Sequence, residues 1–267
     1  MERVLGLMAG AGTLPGRAAT EARRRGWRVA AFAFEDAPGL DAAADDLIPS
    51  AVTDIQAVLT ELAARHVEAV VFVGKFWKSS FFSHYERADD AGLGLARGGL
   101  SDAALGQMVV ATLAGMGITV LDQRELLGPW LLPAGTLGAR APAPAEWDEI
   151  RAGFRLAARL AADGVGQTVV RARGVTVALE AAEGTDETIR RGGRLAPGAV
   201  VVKAVAPGHD YRFDIPSVGP ATLEAMRESG ATALAVPAGR VLLLDRDEVV
   251  RLADLAGIAV VSVDDAG

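Results

Sequence analysis

The sequence predicts an α/β chain: an N-terminal parallel-sheet α/β domain joined by a Pro/Gly linker to a C-terminal mixed α+β domain. Three observations predict it. Short apolar runs alternate with segments of helical period through the first half, which is the signature of a parallel sheet with crossover helices. A glycine turn, Gly10-Ala11-Gly12-Thr13-Leu14-Pro15, follows the first apolar run directly. Residues 131–144 hold three prolines and two glycines without a period, the composition of a linker. The 267 residues suit one large domain or two small ones.

In the first domain, residues 4–9 read as a strand and residues 16–25 as a helix ended by Gly26. Residues 27–34 make a second apolar run suited to a buried strand. Strand, turn, helix and strand form a βαβ unit, which implies a parallel pair and a right-handed crossover. The pattern continues with a helix at 55–65, a strand at 69–73, a helix at 103–116 and a strand at 119–121.

After the linker, residues 146–162 read as a helix, with Trp147, Ile150, Phe154, Ala157, Ala158 and Ala161 near helical spacing. Strands follow at 169–172 and 175–180 around Arg173-Gly174, then at 200–205, 241–244 and 259–263. Helices are expected at 220–229 and 247–256. The expected division is a Rossmann-like domain over 1–133, a linker over 134–145 and an α+β catalytic domain over 146–267.

Composition excludes several classes of function. The net charge is −7 and both halves are acidic, so no basic face exists to displace phosphate counterions of a nucleic acid. A polybasic membrane patch is equally unsupported. The absence of cysteine removes disulfides, thiolate catalysis and Cys-ligated metals. His66, His84 and His209 are far apart and form no HxxxH pair. No stretch reaches ~18 apolar residues without charge or proline, and no signal h-region is present, so the expectation is a soluble cytoplasmic protein.

Three segments could carry chemistry. Gly10-x-Gly12 would let the backbone approach a phosphate at a helix N-terminus, although Pro15 occupies the third position of a dinucleotide fingerprint. A tight turn without a ligand is the even alternative. The run from Glu180 through Glu183, Thr185, Asp186 and Glu187 to Arg190 and Arg191 joins carboxylates for a divalent cation to Arg forks for phosphate. A solvated loop is the plainer reading. In the third segment, Lys203 precedes Asp210-Tyr211-Arg212-Phe213-Asp214. If that stretch is extended, Asp210, Arg212 and Asp214 share one face, with the carboxylates about 7 Å apart, and could hold a metal and a phosphate together. The alternative is a salt-bridged edge strand. His209 reads as an exposed loop residue. The aromatic stretch Phe76-Trp77-Lys78 with Phe81-Phe82 reads as core packing or a homodimer contact, with a lipid-facing lip as the sharper alternative.

Taken together, these stretches resemble the LpxI-type UDP-2,3-diacylglucosamine pyrophosphatases of lipid A biosynthesis from end to end. The resemblance is carried by Gly6 to Pro15, Gly166-Gln167-Thr168-Val169-Val170, Glu180 to Asp186, Ile189-Arg190-Arg191-Gly192-Gly193, Asp210 to Gly219, and Ala238 to Asp245. It implies a two-domain hydrolase with its active site between the domains. The cofactor it implies is Mg²⁺, or Mn²⁺ in its place, and the products are UMP and 2,3-diacylglucosamine 1-phosphate. Matched to the family motif, the catalytic aspartate falls on Asp214, with Asp210 and Arg212 beside it. Glu183 and Asp186 join Asp214 and Asp210 as expected metal ligands, and Gly10, Gly12, Thr185, Arg190, Arg191 and Lys203 are expected to bind substrate. A nucleotide-lipid substrate implies transient contact with the inner membrane surface through its acyl chains. Ala206 and His209 stand where the family tends to have Lys and Gln, which keeps two alternatives open. One is a pyrophosphatase on another nucleotide-sugar or nucleotide-lipid, the other a non-catalytic binding protein of the same fold.

Overall fold

The computed structural model describes residues 2–76 and 102–264 and divides the chain into two units. The first comprises Met1–Gly128 and Asp210–Asp214, the second Pro129–His209 and Ile215–Gly267. Trp77, Lys78, Phe81, Phe82 and His84 lie outside the described residues, so the expected dimer contact or lipid-facing lip there does too.

The first unit is built on β1 (Arg3–Ala9), β2 (Trp27–Ala33), β3 (Asp46–Pro49), β4 (Ala69–Val73) and β5 (Thr119–Val120). They form one sheet in the order β3-β2-β1-β4-β5, and every pairing is parallel. Parallel neighbours need crossovers, supplied here by α1 (Leu14–Arg24), α2 (Leu40–Ala43), α3 (Ile55–Ala64) and α4 (Asp102–Gly115), with a short α5 (Arg124–Leu127) after β5. Asp54 caps α3 by accepting the Ala57 N–H at 3.1 Å. β1 lies at the centre, with Leu5 and Leu7 fully buried. The strand order reverses at β1, the position where open α/β sheets place ligands beyond the strands' carboxyl ends.

The second unit contains β6 (Gly135–Leu137), β7 (Thr168–Ala172), β8 (Val175–Leu179), β9 (Val200–Lys203), β10 (Ser217–Val218), β11 (Ala233–Pro237), β12 (Leu242–Leu243) and β13 (Ala259–Val263). Its helices are α6 (Pro144–Ala162), α7 (Thr185–Leu195), α8 (Pro220–Ser229) and α9 (Arg246–Ala256). Six strands form a mixed sheet in the order β6-β13-β11-β9-β7-β8, in which β11 pairs parallel with β9 and β13 and the other pairings are antiparallel. Ile150, Phe154 and Ala157 of α6 pack on Val200, Val202, Ala233, Ala235, Ala259 and Val261, which makes the core the helical spacing of 146–162 predicts.

Two expectations need revision, and β11 lies where no strand is expected. β11 sits in the middle of the parallel trio, yet Ala-Leu-Ala-Val-Pro is buried throughout and shows no alternation to mark it as a strand. The run at 241–244 supplies only β12, which pairs with β10 apart from the main sheet. The stretch 134–145 is not a free connection. β6 pairs antiparallel with β13, and Arg140 donates to the Thr232 carbonyl and to Glu146 at 2.8 Å. Pro144 opens α6, where proline is preorganised for a first turn, and the Glu146 carboxylate accepts the Ala143 N–H at 2.7 Å. Of the three prolines that suggest a linker, Pro144 marks a helix start.

Candidate active site

In the second unit the strand registers gather polar side chains at one end of the sheet. Thr168 opens β7 and lies opposite Lys203, the last residue of the antiparallel β9. The carboxyl ends of β9 and β8 therefore meet the start of β7, and α7 begins a few residues beyond β8. Lys203 is only 5% exposed, and its ammonium donates to the Thr185 hydroxyl at 3.1 Å. Thr185 in turn donates to Glu180 Oε1 at 3.0 Å. With that proton committed, the Thr185 oxygen can only accept from Thr168 Oγ1, 3.4 Å away. The second oxygen of Glu180 accepts the Gln167 N–H at 3.3 Å. Burying an ammonium and a carboxylate is costly without partners, and the threonine between them supplies one to each.

Glu183 closes the turn before α7. It accepts hydrogen bonds from Arg191 and from Thr188 at 3.1 Å, and its other oxygen takes the Ala181 N–H at 3.2 Å. Its own backbone amide and then the Arg191 guanidinium hold its carboxyl at about 2, far below the usual range. Arg191 also reaches the Leu179 carbonyl at 2.8 Å. Arg190 points elsewhere, to Glu187 and Glu228 at 2.9 and 2.8 Å, in ion pairs on the surface of α7 and α8. Asp186 lies in the first turn of α7, where a negative charge complements the helix dipole.

In the first unit, Gly10 has a structural reason to be glycine. Its N–H donates to the Val73 carbonyl at 2.8 Å, and Ala11 and Lys75 exchange backbone hydrogen bonds at 2.8 and 2.9 Å. A Cβ on Gly10 would lie 2.8 Å from the Lys75 carbonyl oxygen, and one on Gly74 would lie 2.7 Å from the Gly10 carbonyl. The loops after β1 and β4 thus cross backbone against backbone. Gly12, with φ +101°, is exposed ahead of α1, and Thr13 leaves the first turn without a side-chain cap.

Asp210 to Asp214 belong to the first unit although their neighbours on both sides belong to the second. The segment is a turn, which corrects the extended face expected for Asp210, Arg212 and Asp214. The physical reason is local. Asp210 Oδ1 accepts both the Arg212 N–H at 3.1 Å and its guanidinium at 2.9 Å, and Oδ2 takes a second guanidinium bond at 2.7 Å. A side-chain acceptor two residues back folds the chain into an Asx-turn. The same device recurs after β5, where Asp122 accepts the Arg124 N–H at 2.8 Å and its guanidinium. The turn buries Tyr211 and leaves Asp214 exposed.

The metal ligands expected from the sequence divide between the units, Asp210 and Asp214 in the first, Glu183 and Asp186 in the second. Among the described residues no three His, Asp or Glu side chains gather into a set that could hold a metal ion. Asp210 and Glu183 are each neutralised by an arginine. Within each unit, then, the expected ligands form no cation site of their own.

Sequence reasoning singled out Thr185 and Lys203, which the structure joins. Glu180 reads from sequence only as one carboxylate of its run and Thr168 only as part of a motif; the glycine at 166 is the available signal that they meet, since a Cβ there would run into the Glu180 backbone at 2.2 Å. Asp122 and Arg124 carried no signal beyond their D-x-R spacing, the spacing Asp210 and Arg212 share.

Two family models match the chain, the LpxI N-terminal domain over residues 4–130 and the LpxI C-terminal domain over residues 133–261. A relative from Caulobacter vibrioides (strain ATCC 19089 / CIP 103742 / CB 15), the UDP-2,3-diacylglucosamine pyrophosphatase LpxI, is 30% identical over 286 aligned residues that cover 98% of both chains. With both domain models matched in order and almost the whole length aligned, the chain belongs to the LpxI family.

Proposed function

We propose that this protein hydrolyses the pyrophosphate of UDP-2,3-diacylglucosamine, releasing UMP and 2,3-diacylglucosamine 1-phosphate for lipid A biosynthesis. The observation that carries the reading is the similarity to the Caulobacter pyrophosphatase along 98% of the chain. The buried Lys203–Thr185–Thr168 cluster supports it, since an ammonium backed by hydroxyls at the carboxyl end of a sheet suits a phosphate oxygen.

In this reading water attacks one phosphorus, the bridging P–O bond breaks, and the departing phosphate keeps the electron pair. Asp214 orients the water and accepts its proton. Lys203 donates hydrogen bonds to a phosphate oxygen and stabilises charge as it develops. Arg191, oriented by Glu183 and the Leu179 carbonyl, donates to a second phosphate oxygen. A Mg²⁺ or Mn²⁺ requirement, with Asp214 among its ligands, belongs to the proposal on the strength of the family resemblance alone. No helix among the described residues is long and apolar enough to cross a membrane. In this reading the substrate's acyl chains make the transient contact with the membrane surface.

The test is UMP release from UDP-2,3-diacylglucosamine with Mg²⁺, with Mn²⁺ and with EDTA. Release supports the reading. Turnover of a non-acylated UDP-sugar with the acylated substrate untouched would assign the chemistry to another nucleotide-linked substrate. Binding without hydrolysis in either metal would mark a non-catalytic relative.

A further inference from the structure

The Asp210–Asp214 turn is fixed to the first unit by contacts that the proposed chemistry does not use. The Arg124 guanidinium lies 3.9 Å from the centre of the Tyr211 ring, and Tyr211 is 4% exposed. Directly before Arg124, the backbone N–H of the buried Gln123 donates to the Tyr211 carbonyl at 3.0 Å. On the other side of the turn, the Phe213 ring packs 5.3 Å from the Phe72 ring near the end of β4. Phe213 also lies against α4 at Gly106, where an added Cβ would come within 2.7 Å of the ring. A cation stacked on one aromatic, a backbone hydrogen bond and a second aromatic wedged against a glycine thus bracket the turn from Tyr211 to Phe213, and Asp214 is the next residue.

We propose that Arg124 and Gly106 are positioning residues: they clamp this turn onto the carboxyl end of the first sheet and so aim the Asp214 carboxylate at the reacting phosphate. Neither touches substrate in this account. Arg124 acts through the Tyr211 ring, and Gly106 acts by leaving room for Phe213. Gln123 and Arg124 precede Tyr211 by about ninety residues, and Gly106 and Phe72 precede Phe213 by more than a hundred, so the turn's placement depends on long-range packing rather than on its own sequence. The proposal rests on Asp214 being the catalytic carboxylate.

Two substitutions separate aim from fold. Gly106→Ala should not weaken α4, because alanine is the better helix former, yet it must displace Phe213. Arg124→Ala removes the stacked cation, and Arg124→Lys keeps a cation in reach of the ring. We expect both alanine variants to lower kcat for UMP release by about tenfold or more, with KM changed by less than about twofold. Arg124→Lys should recover most of the loss, and Phe213→Leu should partly relieve Gly106→Ala. Amide hydrogen exchange supplies a readout independent of activity. The Arg212 and Phe213 amides should exchange about tenfold faster in the alanine variants, while β1 and β4 amides hold their rates. Unchanged exchange at Arg212 and Phe213 would overturn the clamp even if the wild type turned over no substrate. Faster exchange with kcat unchanged would overturn the positioning role, and a loss of kcat accompanied by β1 and β4 amides loosening would assign these residues to stability alone. A wild type that releases no UMP would count against the proposed function, and the exchange rates would still decide the clamp.

Discussion

The buried ammonium of Lys203 donates to the hydroxyl of Thr185, 3.1 Å away, and the Thr185 hydroxyl donates in turn to Glu180. This orders every donor in the cluster, because an ionised carboxylate can only accept and an ammonium can only donate. The lysine's remaining donors are thereby fixed in direction by a strand end and the first residue of a helix.

Replacing Lys203 with Met keeps the volume of the side chain and removes the charge. A charge-assisted hydrogen bond is worth about 1.5–3 kcal/mol, so kcat/KM for UMP release should fall roughly 10- to 150-fold. Steady-state kinetics checks this, and an unaffected kcat/KM would confine Lys203 to a structural role.

Glu180→Gln tests the same chain from its far end. Both Glu180 oxygens accept hydrogen bonds, one from Thr185 and one from the Gln167 N–H. An amide has one acceptor oxygen, so one donor must lose its partner, at a cost of about 1–3 kcal/mol. Denaturant unfolding should show a loss of this size, with Thr185→Ser largely neutral because the hydroxyl remains.

Arg171 and Glu149 form a largely buried ion pair in the second unit, at 2.9 Å with both side chains 12% exposed. Arg171 also bonds Thr176 and the Gly174 carbonyl, and Glu149 takes the Gly174 N–H, so the pair ties α6 to the β7–β8 hairpin. Arg171→Ala strands a carboxylate and should cost about 3 kcal/mol or more. A midpoint shift in urea measures it, and Glu149→Ala with Arg171→Ala together should cost less than the sum of the two.

Stability of the first unit should carry an acidic limb from Glu21. Arg24 and then Arg25 hold its carboxyl at about 2, down from 4.5. Its folded value lies below the unfolded one, so its contribution is complete above about pH 4.5 and is lost as pH falls toward 2. In urea titrations, Glu21→Gln should be less stable than wild type at pH 7, and the gap should narrow through this window. A gap that stays constant from pH 6 to 3 would contradict the linkage.

What the sequence makes legible follows from how local each signal is. The run at 4–9, the glycines after it and the alternation of strand and helix through residue 121 are local patterns, and the parallel sheet matches them. β11 escaped because a strand buried on both faces has no polar residue to set a period, and alanines fit a helix as well. Alternating charges at 210–214 suit an extended strand, and the competing Asx-turn bond between Asp210 and Arg212, which makes the segment a turn, is invisible in residue type. Lys203 and Thr185 were legible as chemistry-bearing residues, but their meeting depends on the antiparallel pairing of β7 with β9, which no local window contains. For the same reason Arg124 and Gly106 carried no signal.

In the proposed function Asp214 is the carboxylate that serves water attack on the pyrophosphate. Single-turnover UMP release from UDP-2,3-diacylglucosamine by wild type and Asp214→Ala, with substrate affinity measured in parallel, tests it most directly. The account predicts that the variant binds substrate with Kd within about threefold of wild type and loses at least about a thousandfold in rate. An Asp214→Ala protein that releases UMP at the wild-type rate would contradict it.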